Sequence, residues 1–149
     1  MIAPLHLGFD VSCGAEHAFA VWTDHMGLWW PLDHTVSQRP DVRITMEPGV
    51  GGRIFERTPS GEEFDWGRVT AWDPPGRLVY QWHLGAEAAQ ATEVEVRFAE
   101  QPDGTTRVAI EHRGWDALGA QGEARRLGNE AGWRGVLPRF EAACNARLT

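Results

Sequence analysis

Cysteine is scarce, with Cys13 and Cys144 the only two in 149 residues. They supply neither a disulfide framework nor the spacing of a zinc site, and read as reduced thiols of a cytoplasmic protein. Positive charge is also short: 14 Lys and Arg stand against 21 Asp and Glu, a formal net charge of −7. That balance argues against nucleic acid, because phosphate binding needs a basic face, and against anionic membrane surfaces. No apolar run approaches the ~20 residues that cross a bilayer, so membrane insertion is not expected. The opening "MIAPLHLGFD" lacks the basic start and unbroken apolar stretch of a signal peptide.

Catalytic signatures are missing as well. No G-x-S-x-G elbow occurs, and Ser12, Ser37 and Ser60 fall in turns or at strand margins, so a Ser–His–Asp triad has no nucleophile. Neither cysteine lies in a motif that would depress a thiol pKa. His25, Asp33 and His34 lack a third firm ligand at regular spacing. No metal and no cofactor is therefore expected.

Tryptophan, by contrast, is abundant: eight residues, at 22, 29, 30, 66, 72, 82, 115 and 133. Each is large and its N–H wants an acceptor, so eight are hard to hide in the single core that a 1–149 domain can build. Some are expected to line a cavity or a partner surface.

Periodicity gives the element order. "LHLGFDVSC" alternates, with Leu5, Leu7, Phe9, Val11 and Cys13 on one face, which predicts a half-buried strand. In "GAEHAFAVWTDHMGLWWP", Phe19, Trp22 and Met26 recur at helical spacing, predicting two short helices with a break near Asp24 or Gly27 and a stop at Pro31. About six strand-like runs follow, from "DVRITME" to "TRVAIEH", separated by turns such as "TPSGE", "DPPG" and "PDG". From about residue 122 to 148 the period turns helical, with Trp133, Val136 or Leu137, Phe140, Ala143 or Cys144 and Leu148 on one face. Gly128, Gly132 and Gly135 weaken the first half of that helix, and Pro138 predicts a kink or a fresh start. The glycines of "MEPGVGGRIFE" precede a strand and lack the Lys-Ser or Lys-Thr pair of a phosphate loop, so they read as a hairpin turn.

These features carry a resemblance. "GRVTAWDPPGRLVYQW" (Gly67 to Trp82), the "PGVGG" turn before a strand, and Gly132-Trp133 in the last amphipathic stretch resemble the heat-shock-protein ATPase-activator-homologue-like branch of the START/Bet v 1-like (SRPBCC) superfamily. The resemblance covers nearly the whole chain. It implies an α+β helix-grip fold, in which a curved antiparallel sheet of six or seven strands wraps around a long C-terminal helix. A cavity is expected between the two layers. Members of the superfamily bind lipids, polyketides, hormones and other apolar molecules, a few catalyse cyclisation or hydrolysis, and one eukaryotic branch binds a chaperone.

Hairpin registers select the inner face. If "DPPG" joins two antiparallel strands, Trp72 pairs with Arg77, Ala71 with Leu78, Val69 with Tyr80, Gly67 with Trp82 and Asp65 with Leu84. Arg68, Thr70, Gln81 and His83 then take the wetter face. Across the "PDG" hairpin, Phe98 faces Val108, Val96 faces Ile110 and Val94 faces His112, while the charged Glu93, Glu95, Arg97, Arg107 and Glu111 point to solvent. The expected ligand-binding residues are thus Asp65, Val69, Tyr80, Trp82, Val94 and His112 from the sheet. The helix adds Trp133, Leu137 and Phe140.

An apolar, aromatic pocket with a few convergent polar groups suits a small apolar or aromatic molecule, and binding of such a molecule is the expected function. No residue type present demands catalysis. The enzymatic alternative rests on acid–base work by His112 with Asp65. A third alternative, an interaction protein or homodimer, requires an exposed apolar or acidic surface, for example around Trp29, Trp30 and Trp115.

Overall fold

In the computed structural model, described over residues 1–146, strand β1 (Leu5–Val11) leads into two short helices, α1 (Ala15–Thr23) and α2 (Met26–Trp29). Six strands follow: β2 (Arg43–Met46), β3 (Arg53–Arg57), β4 (Glu63–Asp73), β5 (Arg77–Trp82), β6 (Thr92–Glu100) and β7 (Thr106–Arg113). A 3-10 segment, Trp115–Gln121, then passes into helix α3 (Gly122–Asn145). The seven strands form one antiparallel sheet in the order β1-β7-β6-β5-β4-β3-β2, curled into a half-barrel around α3. This is the helix-grip architecture. Pro138 lies inside α3 rather than starting a new helix, and Leu148 lies outside the described residues. Among those residues, no helix is long and apolar enough to cross a membrane.

The "PDG" hairpin has the expected register throughout, with Phe98 against Val108, Val96 against Ile110 and Val94 against His112. The "DPPG" hairpin matches at Val69–Tyr80 and Gly67–Trp82 but differs by one residue near its turn. There Asp73 meets Arg77, Trp72 meets Leu78 and Ala71 meets Val79, because a bulge at Thr70 absorbs one residue. His83, expected on the wet face, lies buried just past the end of β5, with its Nδ1 3.2 Å from the Ala86 carbonyl.

A second irregularity in β4 corrects a predicted site residue. Ile54 pairs with Gly67 but its neighbour Phe55 pairs with Asp65, so Trp66 is the extra residue of a bulge. Trp66 consequently points inward and is buried, with the backbone of Gly67 buried beside it. The flip in parity turns Asp65 to the outer face, where its carboxylate meets Arg53 at 2.9 Å. Asp65 does not face the concave side. A Cβ at Gly67 would sit 1.9 Å from the Gln81 carbonyl oxygen, so the backbones of β4 and β5 approach too closely for any side chain.

The core hides more tryptophan than composition alone suggests, for every tryptophan except Trp72 is buried. Most of the buried indoles find an acceptor. Trp29 donates to the Val21 carbonyl, Trp30 to the His34 carbonyl, Trp66 to Glu56 Oε1 and Trp115 to the His112 carbonyl. The rings then pack on one another at tilted or edge-to-face angles; Trp22, for example, lies 4.9 Å from Phe140 and 5.0 Å from Trp29. Trp29, Trp30 and Trp115 are themselves buried, so none of the three contributes to an exposed surface.

Candidate functional site

Most of the space between sheet and α3 is filled by these aromatic side chains. A hollow of about 180 Å³ remains beside the middle of α3. One wall is built from Trp30 and His34, in the segment after α2, and from Trp82 and Leu84 at the end of β5. The opposite wall is a single face of α3 with Gly128, Gly132 and Trp133. Larger hollows exist on the outer face of the sheet, such as a 570 Å³ trough beside Glu95, Arg97, Arg107 and Glu111. Their charged lining, much of it already ion-paired, does not suit an apolar guest.

Two glycines give the cleft its character. Gly128 and Gly132 are four apart and share one helical face. A Cβ added to either would meet nothing within 4 Å. The helix therefore presents bare backbone to open space, opposite the indoles of Trp30 and Trp82, whose rings are 5.3 Å apart at 64°. Polar groups stand at the rim: the exposed His34 and Asn129, whose Nδ2 donates to the Arg125 carbonyl at 2.8 Å and whose side-chain oxygen keeps its acceptor capacity.

A buried carboxylate fixes the wall that carries Trp30. Glu56 on β3 is fully buried and accepts hydrogen bonds from the backbone N–H groups of Val36 and Ser37 and from the Trp66 indole. Burial works to raise its pKa, but the donors of Ser37, Val36 and Trp66 outweigh it and hold the carboxyl below its usual range. The charge thus ties the loop after α2 to the sheet, and Trp30 is tied into that loop through the His34 carbonyl at 2.8 Å.

His112 lies behind the cleft and is fully buried. Trp133 Nε1–H donates to its Nδ1 at 3.0 Å, and Thr92 Oγ1 sits 2.7 Å from its Nε2. An indole is a donor only, so Nδ1 carries no proton and Nε2–H must donate to Thr92. Thr92 in turn donates to the Trp82 carbonyl at 3.3 Å. Burial, aided by the Arg125 charge, pushes the His112 pKa down to about 3. Both ring nitrogens are occupied and the imidazole is neutral. With Asp65 on the opposite side of the sheet, the acid–base pair His112–Asp65 is not assembled.

Of the residues expected from sequence, Trp82 and Trp133 line the cleft. Tyr80, Val69, Val94 and Phe140 are core residues with almost no exposed surface. Leu137 faces a separate groove beside Leu7 and Phe9. Sequence reasoning missed His34, Leu84, Gly128, Asn129, Gly132 and Val136. The four-residue spacing of Gly128 and Gly132, next to Trp133, places both glycines on one helix face and was readable in the sequence; read for propensity alone, it marks only a weak helix. Trp30 is the member of the Trp29-Trp30 pair that reaches the mouth.

A family model described as "Activator of Hsp90 ATPase homolog 1-like protein" matches residues 12–145. Among solved structures, the anthrahydroquino-gamma-pyrone synthase Txn09 is 34% identical over 74% of this chain and 76% of that chain, with a TM-score of 0.53. The self-sacrificing resistance protein CalC from Micromonospora echinospora is 26% identical over 96% of this chain and 94% of that chain, with a TM-score of 0.70. CalU16 from the same organism, at 17% identity over 95% of this chain and 76% of that chain and a TM-score of 0.66, shares the fold. No curated protein matches the chain.

Proposed function

The chain belongs to the Activator of Hsp90 ATPase homolog 1-like family, and from that premise we propose that it binds a small planar aromatic molecule in the cleft between Trp30, Trp82 and α3. The observation that carries this reading is the open space over Gly128 and Gly132, facing two indoles. A flat ring lying there stacks against aromatic faces on one side and bare helix on the other, while His34 and Asn129 meet polar substituents at the rim. At about 180 Å³ the hollow is below the ~300–1,000 Å³ of ordinary small-molecule sites. The guest is therefore compact, or it stays partly exposed.

A second reading, catalysis on such a molecule, draws support from the 34% identity to a pyrone synthase. His112 and Asp65 do not serve it, so any proton transfer falls to the rim groups, with His34 the titratable one.

Isothermal titration with a panel of planar aromatics and lipids tests the binding reading, using Gly132→Leu as the control. Saturable binding that the variant weakens by tenfold or more supports it. Binding indifferent to the variant, or none across the panel, sinks it.

A further inference from the structure

Two fully buried polar groups, Trp22 Nε1 and Tyr80 Oη, have no hydrogen-bond partner among the described residues. Burial pushes the Tyr80 hydroxyl above its ordinary pKa, with Trp22 acting in the opposite direction, which marks the two groups as neighbours. An indole N–H can only donate. If it donates to the tyrosine oxygen, the phenolic proton still has nowhere to go. The shortage at this point is therefore of an acceptor. A buried donor left unmatched is costly, and natural cores rarely leave one without a reason.

The pair lies one indole layer behind the cleft. The Tyr80 ring is 5.7 Å from that of Trp82, and the Trp22 ring is 6.0 Å from that of Trp133. Trp82 and Trp133 both line the cleft. An oxygen carried into the cleft reaches the pair only when the Trp82 ring, which packs against Tyr80, swings aside.

We infer that Trp22 Nε1–H and Tyr80 Oη–H form the inner end of the binding site and take an acceptor oxygen, a carbonyl above all, carried on the leading edge of a planar aromatic ligand. This rests on the cleft being a ligand site and adds the chemistry the ligand must have. An aromatic ketone satisfies both donors at once. The hydrocarbon of the same shape fills the cleft but leaves them orphaned.

Calorimetric titration of 9-fluorenone and of fluorene into the protein and into Tyr80→Phe tests the inference. Wild type should favour fluorenone over fluorene by about three- to tenfold, the worth of one net hydrogen bond. Tyr80→Phe should shrink that preference while leaving fluorene binding unchanged. Because the phenolic proton has no acceptor without ligand, Tyr80→Phe should also unfold at the same or higher denaturant concentration than wild type. Equal binding of the two probes by wild type, or a preference untouched by the variant, overturns the inference and leaves the cleft standing. Failure of both probes to bind overturns both. A destabilised Tyr80→Phe overturns it too, since the hydroxyl then already has a partner, such as an enclosed water.

Discussion

The indole N–H of Trp133 on α3 points at Nδ1 of His112 on β7, 3.0 Å away, and so decides which nitrogen of a fully buried imidazole carries the proton. A helix–sheet contact sets a tautomer, and with it the role of the histidine as a strut. Replacing His112 by Leu removes the acceptor and orphans the Trp133 donor. We expect a loss of about 1–3 kcal/mol, read by urea unfolding.

Burial of the same imidazole, with the Arg125 charge beside it, gives a pH dependence. His112 falls from an ordinary 6.5 to about 3 in the folded protein, so between those values the unfolded chain holds a proton that the folded chain does not. Stability is then complete above about pH 6.5 and declines as pH drops toward 3. His112→Leu should flatten that decline, and NMR of the wild-type imidazole should show no protonation between pH 8 and 5.

Glu56 acts in a more acidic window. Its folded pKa lies below its ordinary 4.5, so its contribution is present above 4.5 and lost as pH falls through the lowered value. Glu56→Gln offers one acceptor oxygen to three donors and places an NH₂ among them. It should cost about 1.5–3 kcal/mol at neutral pH and weaken the acid limb of the stability curve, both visible in denaturant titrations across pH.

Glycines in two places should respond oppositely to alanine. At Gly67 a Cβ meets the Gln81 carbonyl oxygen at 1.9 Å, so Gly67→Ala should cost about 3 kcal/mol or more. At Gly132 a Cβ meets nothing within 4 Å in the interior of α3, so Gly132→Ala should stabilise by roughly 0.5–1 kcal/mol. If the cleft is the binding site, that gain in thermal stability comes with weaker aromatic binding. A variant that gains both contradicts the reading of α3.

The two cysteines should react sluggishly. Burial raises Cys13, opposed by its hydrogen bond with Cys144; Cys144 is raised by burial, reinforced by Cys13. Thiolate is the reactive form. Iodoacetamide at pH 7.5 should therefore modify the folded protein more slowly than the urea-unfolded chain, on the order of tenfold for Cys144, as followed by mass spectrometry.

Local pattern made much of the molecule legible. Alternation in "LHLGFDV" and across the "PDG" hairpin, helical spacing through Phe19, Trp22 and Met26, and turn residues between strands are properties of a few neighbouring residues, and they place elements and most inward faces. What sequence could not reveal depends on partners distant in the chain. The bulge that sets Trp66 inward and Asp65 outward is a relation between β4 and β3, invisible to a period counted along β4 alone. The indoles find nearby acceptors instead: the carbonyls of Val21, His34 and His112 and the Glu56 carboxylate lie within ten residues of the indoles whose hydrogen bonds they accept, and only the folded backbone turns them inward. Strand, helix and family were written in the order of residues. How far the hollow between them is filled, and which nitrogen of His112 bears its hydrogen, were decided when α3 came down on the sheet, since packing and hydrogen bonding across that gap join groups that no local period connects.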